Sequence, residues 1–101
     1  MELKAGARLR SAVSDAELIV IRASDGDVEV TSGGLAVLDG GDDSPKKAIL
    51  AGQEGSILLG KRYVDVGDTL ELLCTKPGDG ALAVDGRPLQ LKTAKPLPSS
   101  D

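Results

Sequence analysis

GKRYVDVGDTLELLCTKPGDGALAVDGRPLQL, residues 60–91, is the stretch from which the fold class can be read. Leu70, Leu72 and Cys74 alternate with Glu71, Leu73 and Thr75, the two-residue period of a strand with its first set facing inward. Gly67-Asp68 and Pro77-Gly78-Asp79-Gly80 are turn chemistry, because Gly accepts positive φ and Asp bonds its own backbone. Asp85-Gly86 is a favoured two-residue hairpin turn, and it sets Leu82 and Val84 opposite Leu89 and Leu91. Pro88 has no N–H to give to a ladder, which places it on an edge strand.

The rest of the chain repeats this grammar. Leu9, Ser11 and Val13 alternate with Arg8, Arg10 and Ala12 as a short first strand with a basic outer face. Glu17 to Ala23 (ELIVIRA) is rich in β-branched residues and reads as a central strand. Ser24-Asp25-Gly26-Asp27 is a turn before a return strand containing Val28 and Val30. Ser32-Gly33-Gly34 breaks that strand, and Leu35 to Leu38 forms another. Met1 to Ala7 has no periodic signal and reads as a frayed lead-in. Residues 39–56 lack a clear period; their length predicts a mobile loop. Within it, Ser44 and Pro45 can cap and open one short helical turn over 45–52. The tail, 92–101, carries Pro96 and Pro98 and is expected to be extended. An echo links Gly26-Asp27 and 34–40 to Gly67-Asp68 and 80–86; its uneven spacing favours shared turn chemistry over a true repeat. The expectation is a single all-β domain, 1–101. It is a small antiparallel barrel or sandwich of about six to eight short strands with at most one short helical turn.

Composition sets limits. With no Trp or Phe and one Tyr, the core is aliphatic: fifteen Leu, eight Val, four Ile and eleven Ala. Each large aliphatic side chain contributes about 1.5–3 kcal/mol when fully buried. A net charge of −4 argues against a broad nucleic-acid or acidic-membrane footprint. A single Cys forms no intrachain disulfide, consistent with a reducing compartment. The stretch MELKAGARLRSAV, residues 1–13, has no apolar core of the kind a signal peptide needs, so none is expected, and the run Leu18-Ile19-Val20-Ile21 is far short of the ~20 residues that span a bilayer. The expected location is cytoplasmic.

The absence of His removes Ser-His-Asp and Cys-His catalysis and histidine-based zinc sites. No phosphate-loop or dinucleotide glycine pattern is present. Asp39, Asp42 and Asp43 offer hard oxygens but lack calcium-loop spacing, so they read as a solvated acidic loop. Asp25 and Asp27 read as turn formers. Cys74, flanked inward by Leu70 and Leu72, reads as buried and inert despite nearby Lys76. The expectation is therefore no enzyme, no metal and no cofactor. Lys61, Arg62 and Tyr63 remain as the candidate ligand-binding residues, two cations beside the lone aromatic. The competing reading has Tyr63 filling the core while Lys61 and Arg62 pair with Asp65 and Asp68.

Leu9-Arg10-Ser11 with 17–23, Leu59-Gly60-Lys61-Arg62-Tyr63, and Thr75-Lys76-Pro77-Gly78 through Lys95-Pro96-Leu97-Pro98 resemble a small family of uncharacterised bacterial proteins of about this length. The resemblance spans most of the chain outside 39–56 and implies no activity. Val66-Gly67-Asp68-Thr69-Leu70 is similar to a stretch of biotinyl and lipoyl carrier domains. Their attachment Lys has no counterpart at Asp85-Gly86-Arg87, which argues against a swinging-arm carrier. The function expected is a non-catalytic binding or accessory module acting through a protein partner. The alternative is a binder of a small anionic metabolite using Lys61, Arg62 and Tyr63.

Overall fold

The computed structural model describes residues 2–23 and 26–92. Among these residues the chain is all-β, with twelve strands and no helix. The first five strands are β1 (Arg8–Arg10), β2 (Glu17–Arg22), β3 (Val30–Ser32), β4 (Leu35–Ala36) and β5 (Leu38–Asp39). The others are β6 (Ser56–Ile57), β7 (Arg62–Val64), β8 (Glu71–Lys76), β9 (Gly78–Asp79), β10 (Leu82–Val84), β11 (Arg87–Pro88) and β12 (Gln90–Leu91). All pairings are antiparallel, in sheets ordered β12-β7-β8-β2-β1-β5, β11-β10-β3-β4 and β6-β9. The two larger sheets form a sandwich, not a closed barrel. Its core draws Leu9, Leu18, Val20, Tyr63, Leu72 and Cys74 from one sheet and Val30, Leu82 and Val84 from the other.

Strand pieces outnumber the expected runs because two runs turn a corner of the sandwich. Leu35 to Asp39 begins in the smaller sheet as β4 and ends in the larger as β5; 87–91 does the same as β11 and β12. Val37 and Leu89 are the corners, their N–H groups donating back to Val30 O (2.9 Å) and Leu82 O (3.0 Å). Strands that change sheets are how such corners are made. Leu91 therefore pairs with Tyr63 in the larger sheet, not within the hairpin of Leu82 and Val84. Asp85-Gly86 is the expected two-residue turn, joining Val84 to Arg87 with positive φ at both residues (49 and 80). That is the signature of a type I′ hairpin. Pro88 lies on an edge strand, as expected.

The sandwich is built twice over. β1 and β2 recur as β7 and β8, each 54 residues on (8 to 62, 17 to 71). β3, β4 and β5 recur as β10, β11 and β12, each 52 on (30 to 82, 35 to 87, 38 to 90). The registers agree with a pseudo-two-fold axis. Across β2 and β8, Leu18 faces Cys74 and Val20 faces Leu72, while Ile19 faces Leu73, the position that maps onto itself. Across β3 and β10, Ser32 faces Leu82 and Val30 faces Val84, with Thr31 and Ala83 on the axis. Turn bonds obey the same relation: Gly6 N–H to Val20 O recurs as Gly60 N–H to Cys74 O, and Gly33 N–H to Ala81 O as Asp85 N–H to Glu29 O. The Gly33-Gly34 turn, expected only to break a strand, is the counterpart of Asp85-Gly86, again with positive φ at both residues (64 and 90). Gly26-Asp27 thus corresponds to Gly78-Asp79, a different register from the echo read in the sequence.

This duplication corrects the view of the N-terminus. Leu3 is buried and Glu2 bridges to Asp27, as β6 pairs with β9 in the second half and buries Ile57. The connection between halves, 40–55, crosses one end of the sandwich and forms no helical turn; Asp42 Oδ1 accepts the Ser44 N–H instead. Lys47 N–H donates to Ala12 O, Leu50 N–H to Gly33 O, and Gly80 and Ala81 N–H to Gly55 and Gln53 O. Ile49 packs where a Cβ at Gly33 would stand, and Leu50 does so at Gly34. The expected extended tail lies outside the described residues except for Lys92. Among the described residues no helix is long and apolar enough to cross a membrane.

Candidate functional site

Tyr63 lies on β7 between Arg62 and Val64, and strand alternation turns it inward. The ring is buried (7% exposed), its hydroxyl accepts the Leu58 N–H at 2.9 Å and donates to Ser56 O at 3.5 Å. A Tyr with its polar end satisfied inside the sandwich gives the core its one aromatic side chain.

Arg62 points to the opposite face and meets a residue that period-two reading had placed in solvent. Glu71 is only 1% exposed. Its Oε2 accepts from Arg62 Nη1 at 3.1 Å and its Oε1 from Lys92 Nζ at 2.7 Å. Arg62 is the diagonal cross-strand neighbour of Glu71, since Val64 lies directly opposite it. Lys92 is brought in by its own N–H, which donates to Arg62 O at 2.8 Å. The carboxyl is held below the usual carboxylate range, first by the Lys92 hydrogen bond and then by the charges of Lys92 and Arg62, against the opposing effect of burial. Both cations stay half-exposed, so their heads reach water while Glu71 does not.

Lys61 is exposed and forms no side-chain hydrogen bond or ion pair among the described residues. The three candidate residues thus share a strand and its entrance but do not converge: Tyr63 faces the core, and Arg62 is held by Glu71. The pairing expected in the competing reading takes other forms. Asp68 pairs with Arg22 at 3.7 Å. Asp65 closes the 65–70 turn, accepting Thr69 N–H (2.7 Å), Leu70 N–H (3.0 Å) and Thr69 Oγ1 (2.6 Å). Burial works to raise its pKa, but these hydrogen bonds outweigh it and hold the group below the usual range.

Cys74 is buried, as its alternation indicated, and its Sγ donates to Lys76 O at 3.1 Å. Burial pushes the thiol up, so thiolate character is suppressed. Asp39 and Asp42 accept local N–H groups from Gly41 and Ser44, which makes them turn formers. Among the described residues no three His, Cys, Asp or Glu side chains gather as a metal site would require.

Comparison with known proteins finds no matching family model, no similar curated protein and no similar solved structure. The molecule's own geometry is the available guide.

That geometry has one further feature, which sequence reasoning missed. A groove of about 360 Å³ opens between the 65–70 turn and the Asp85-Gly86 hairpin, lined chiefly by Val28, Val66, Thr69, Val84, Arg87 and Pro88, with Asp65 and Asp85 on its walls. Val66 is 76% exposed, the most exposed large apolar side chain among the described residues. The missed signal was Val66 itself, an aliphatic residue beside Gly67-Asp68 in a turn that needs none. The groove can hold apolar groups and a cation.

Proposed function

We propose that the protein is a non-catalytic binding module that acts through a protein partner, with the groove at Val66 as its contact. The observation that carries this reading is the exposure of Val66 beside Val28, Val84 and Pro88, whereas Tyr63, Arg62, Glu71 and Cys74 have structural partners among the described residues. Burying one such side chain is worth about 1.5–3 kcal/mol, which makes exposed aliphatic surface at a concavity a natural contact.

The test is a photo-crosslinking amino acid at position 87, in cells that naturally make the protein. A discrete adduct that disappears with Val66→Asp is expected. Absence of any adduct, or one indifferent to Val66→Asp, would overturn the reading.

The alternative, an anionic metabolite at the site expected from Lys61, Arg62 and Tyr63, rests on the exposed Lys61 and the half-exposed Arg62 guanidinium alone, because Tyr63 faces the core. Its check is thermal shift against phosphorylated and carboxylated metabolites. A stabilisation lost in Lys61→Ala supports it, because that change leaves both Glu71 pairs in place. No response sinks it.

A further inference from the structure

The pseudo-two-fold axis relates the groove to a place in the same molecule that is already filled. Val66 corresponds to Ala12, Thr69 to Asp15, Asp85 to Gly33, Gly86 to Gly34, and Val28 to Gly80. Ala12, Asp15, Gly33, Gly34 and Gly80 are the residues crossed by the connection between the halves. Ala12 O and Gly33 O accept the N–H groups of Lys47 and Leu50, Asp15 pairs with Lys46, and Gly80 N–H donates to Gly55 O. Ala12 is consequently buried, whereas its counterpart Val66 is open. Leu50 atoms lie at 2.7–3.0 Å from where a Cβ at Gly34 would stand, while a Cβ at Gly86 would meet nothing within 4 Å. The carbonyls of Val66 and Asp85, twins of the two acceptors, receive no backbone donor from any described turn or loop.

We propose that the open groove takes an extended aliphatic segment of a partner protein, laid across Val66 and Asp85 as 46–55 is laid across Ala12 and Gly33. This rests on the binding-module reading and specifies its contact. The filled twin supplies the template: backbone N–H groups three residues apart, an Ile-Leu pair resting on the Gly33-Gly34 turn with Leu50 half-exposed, and a lysine ahead of them. The open walls keep the two acceptor carbonyls of that template but change its contacts: Asp85 carries a side chain where Gly33 leaves room for Ile49, and Thr69 stands where Asp15 pairs with Lys46. Val28, Val66, Val84 and Pro88 give apolar contact, and the carboxylates of Asp65 and Asp85 outnumber the one cation, Arg87, which suits a basic residue in the segment. Affinity comes from main-chain hydrogen bonds and aliphatic burial, so the groove reads a pattern more than one sequence.

A synthetic peptide of residues 43–55, capped at both ends, is the probe, because the chain's own copy occupies only the first groove. Titrated to about 1 mM into the full ¹⁵N-labelled protein, it is expected to shift the amides of Val28, 65–69 and 84–87 saturably. Val66→Asp, on an exposed turn, should weaken binding by about tenfold or more with the spectrum otherwise kept, and so should serine at both apolar positions of the peptide. No shifts, shifts centred on Ala12 and Gly33, or indifference to Val66→Asp would overturn the proposal. So would binding seen only after residues 93–101 are removed, since the occupant would then be the chain itself. If position 87 still crosslinks a partner in a Val66-dependent way while the peptide fails, the module reading stands and the extended-segment contact falls.

Discussion

Glu71 departs furthest from its sequence reading. Strand alternation gave it to solvent, and on the outward face it does lie; but Arg62 on β7 and Lys92, just past the end of β12, close over it. A buried carboxylate is tolerable here because both oxygens have cationic donors, and removing one member of such a set costs more than the set contributes. Because the two cations reach water, Glu71→Gln is expected to cost about 1–2 kcal/mol, below the fully buried case. Urea unfolding at pH 7 measures it. The acid limb follows from sign. The folded pKa of Glu71 is depressed, so its contribution is complete above the unfolded value of about 4.3 and is lost as pH falls through the lower folded value. Stability should hold from pH 7 to about 5 and decline below about 4, with a shallower decline in Glu71→Gln. An unchanged acid limb in that variant would remove Glu71 from the account. Cys74 gives a separate check: buried and with its thiol pKa raised, it should react with a thiol reagent at the rate of unfolding. Rapid labelling of the folded protein contradicts this.

At the scale of the elements, hairpins and corners make the sandwich, and glycines at its two ends carry unequal loads. Gly80 has φ +108, and a Cβ there would lie 2.7 Å from Ser32 Oγ, 2.8 Å from Val13 Cγ2 and 2.9 Å from Gly33 N. Gly86 has φ +80 and open space around the same atom. Gly86→Ala should therefore cost only backbone strain, about 1 kcal/mol. Gly80→Ala adds a clash with backbone at the filled end and should exceed about 3 kcal/mol. Denaturant midpoints at constant m decide between them; equal losses would mean the filled end yields more easily than its packing suggests. The turn residues made both hairpin loops legible, Asp85-Gly86 as a hairpin and Gly33-Gly34 as a break. The corners at Val37 and Leu89 were not legible, because a residue where a strand changes sheets looks like any other inward aliphatic.

On the scale of the whole molecule, two half-chains share one core. β2 and β8 lie side by side at the centre of the larger sheet, and β3 and β10 at the centre of the smaller, so each half alone would expose two long unpaired edges. A chain cut at the exposed Gly52 turn should thus give two fragments that are unfolded separately and recover β-sheet circular dichroism when mixed. A fragment that folds alone as a monomer would refute the shared core. Among the described residues the open groove is a consequence of the same arrangement: the connection 40–55 covers one of two equivalent ends.

The sequence by itself determined the all-β class, the aliphatic core, the hairpin at Asp85-Gly86, the edge position of Pro88 and the burial of Cys74. These follow from period, turn chemistry and composition, which are local. Only the tertiary structure decided the burial of Glu71 and Leu3, the division of single runs between two sheets, the true register of the repeat and the groove beside Val66. Each of these depends on which segment comes to lie alongside, from nine residues away for Arg62 at Glu71 to 56 for Leu18 at Cys74 across the two halves, and nothing in a residue's near neighbours encodes that choice.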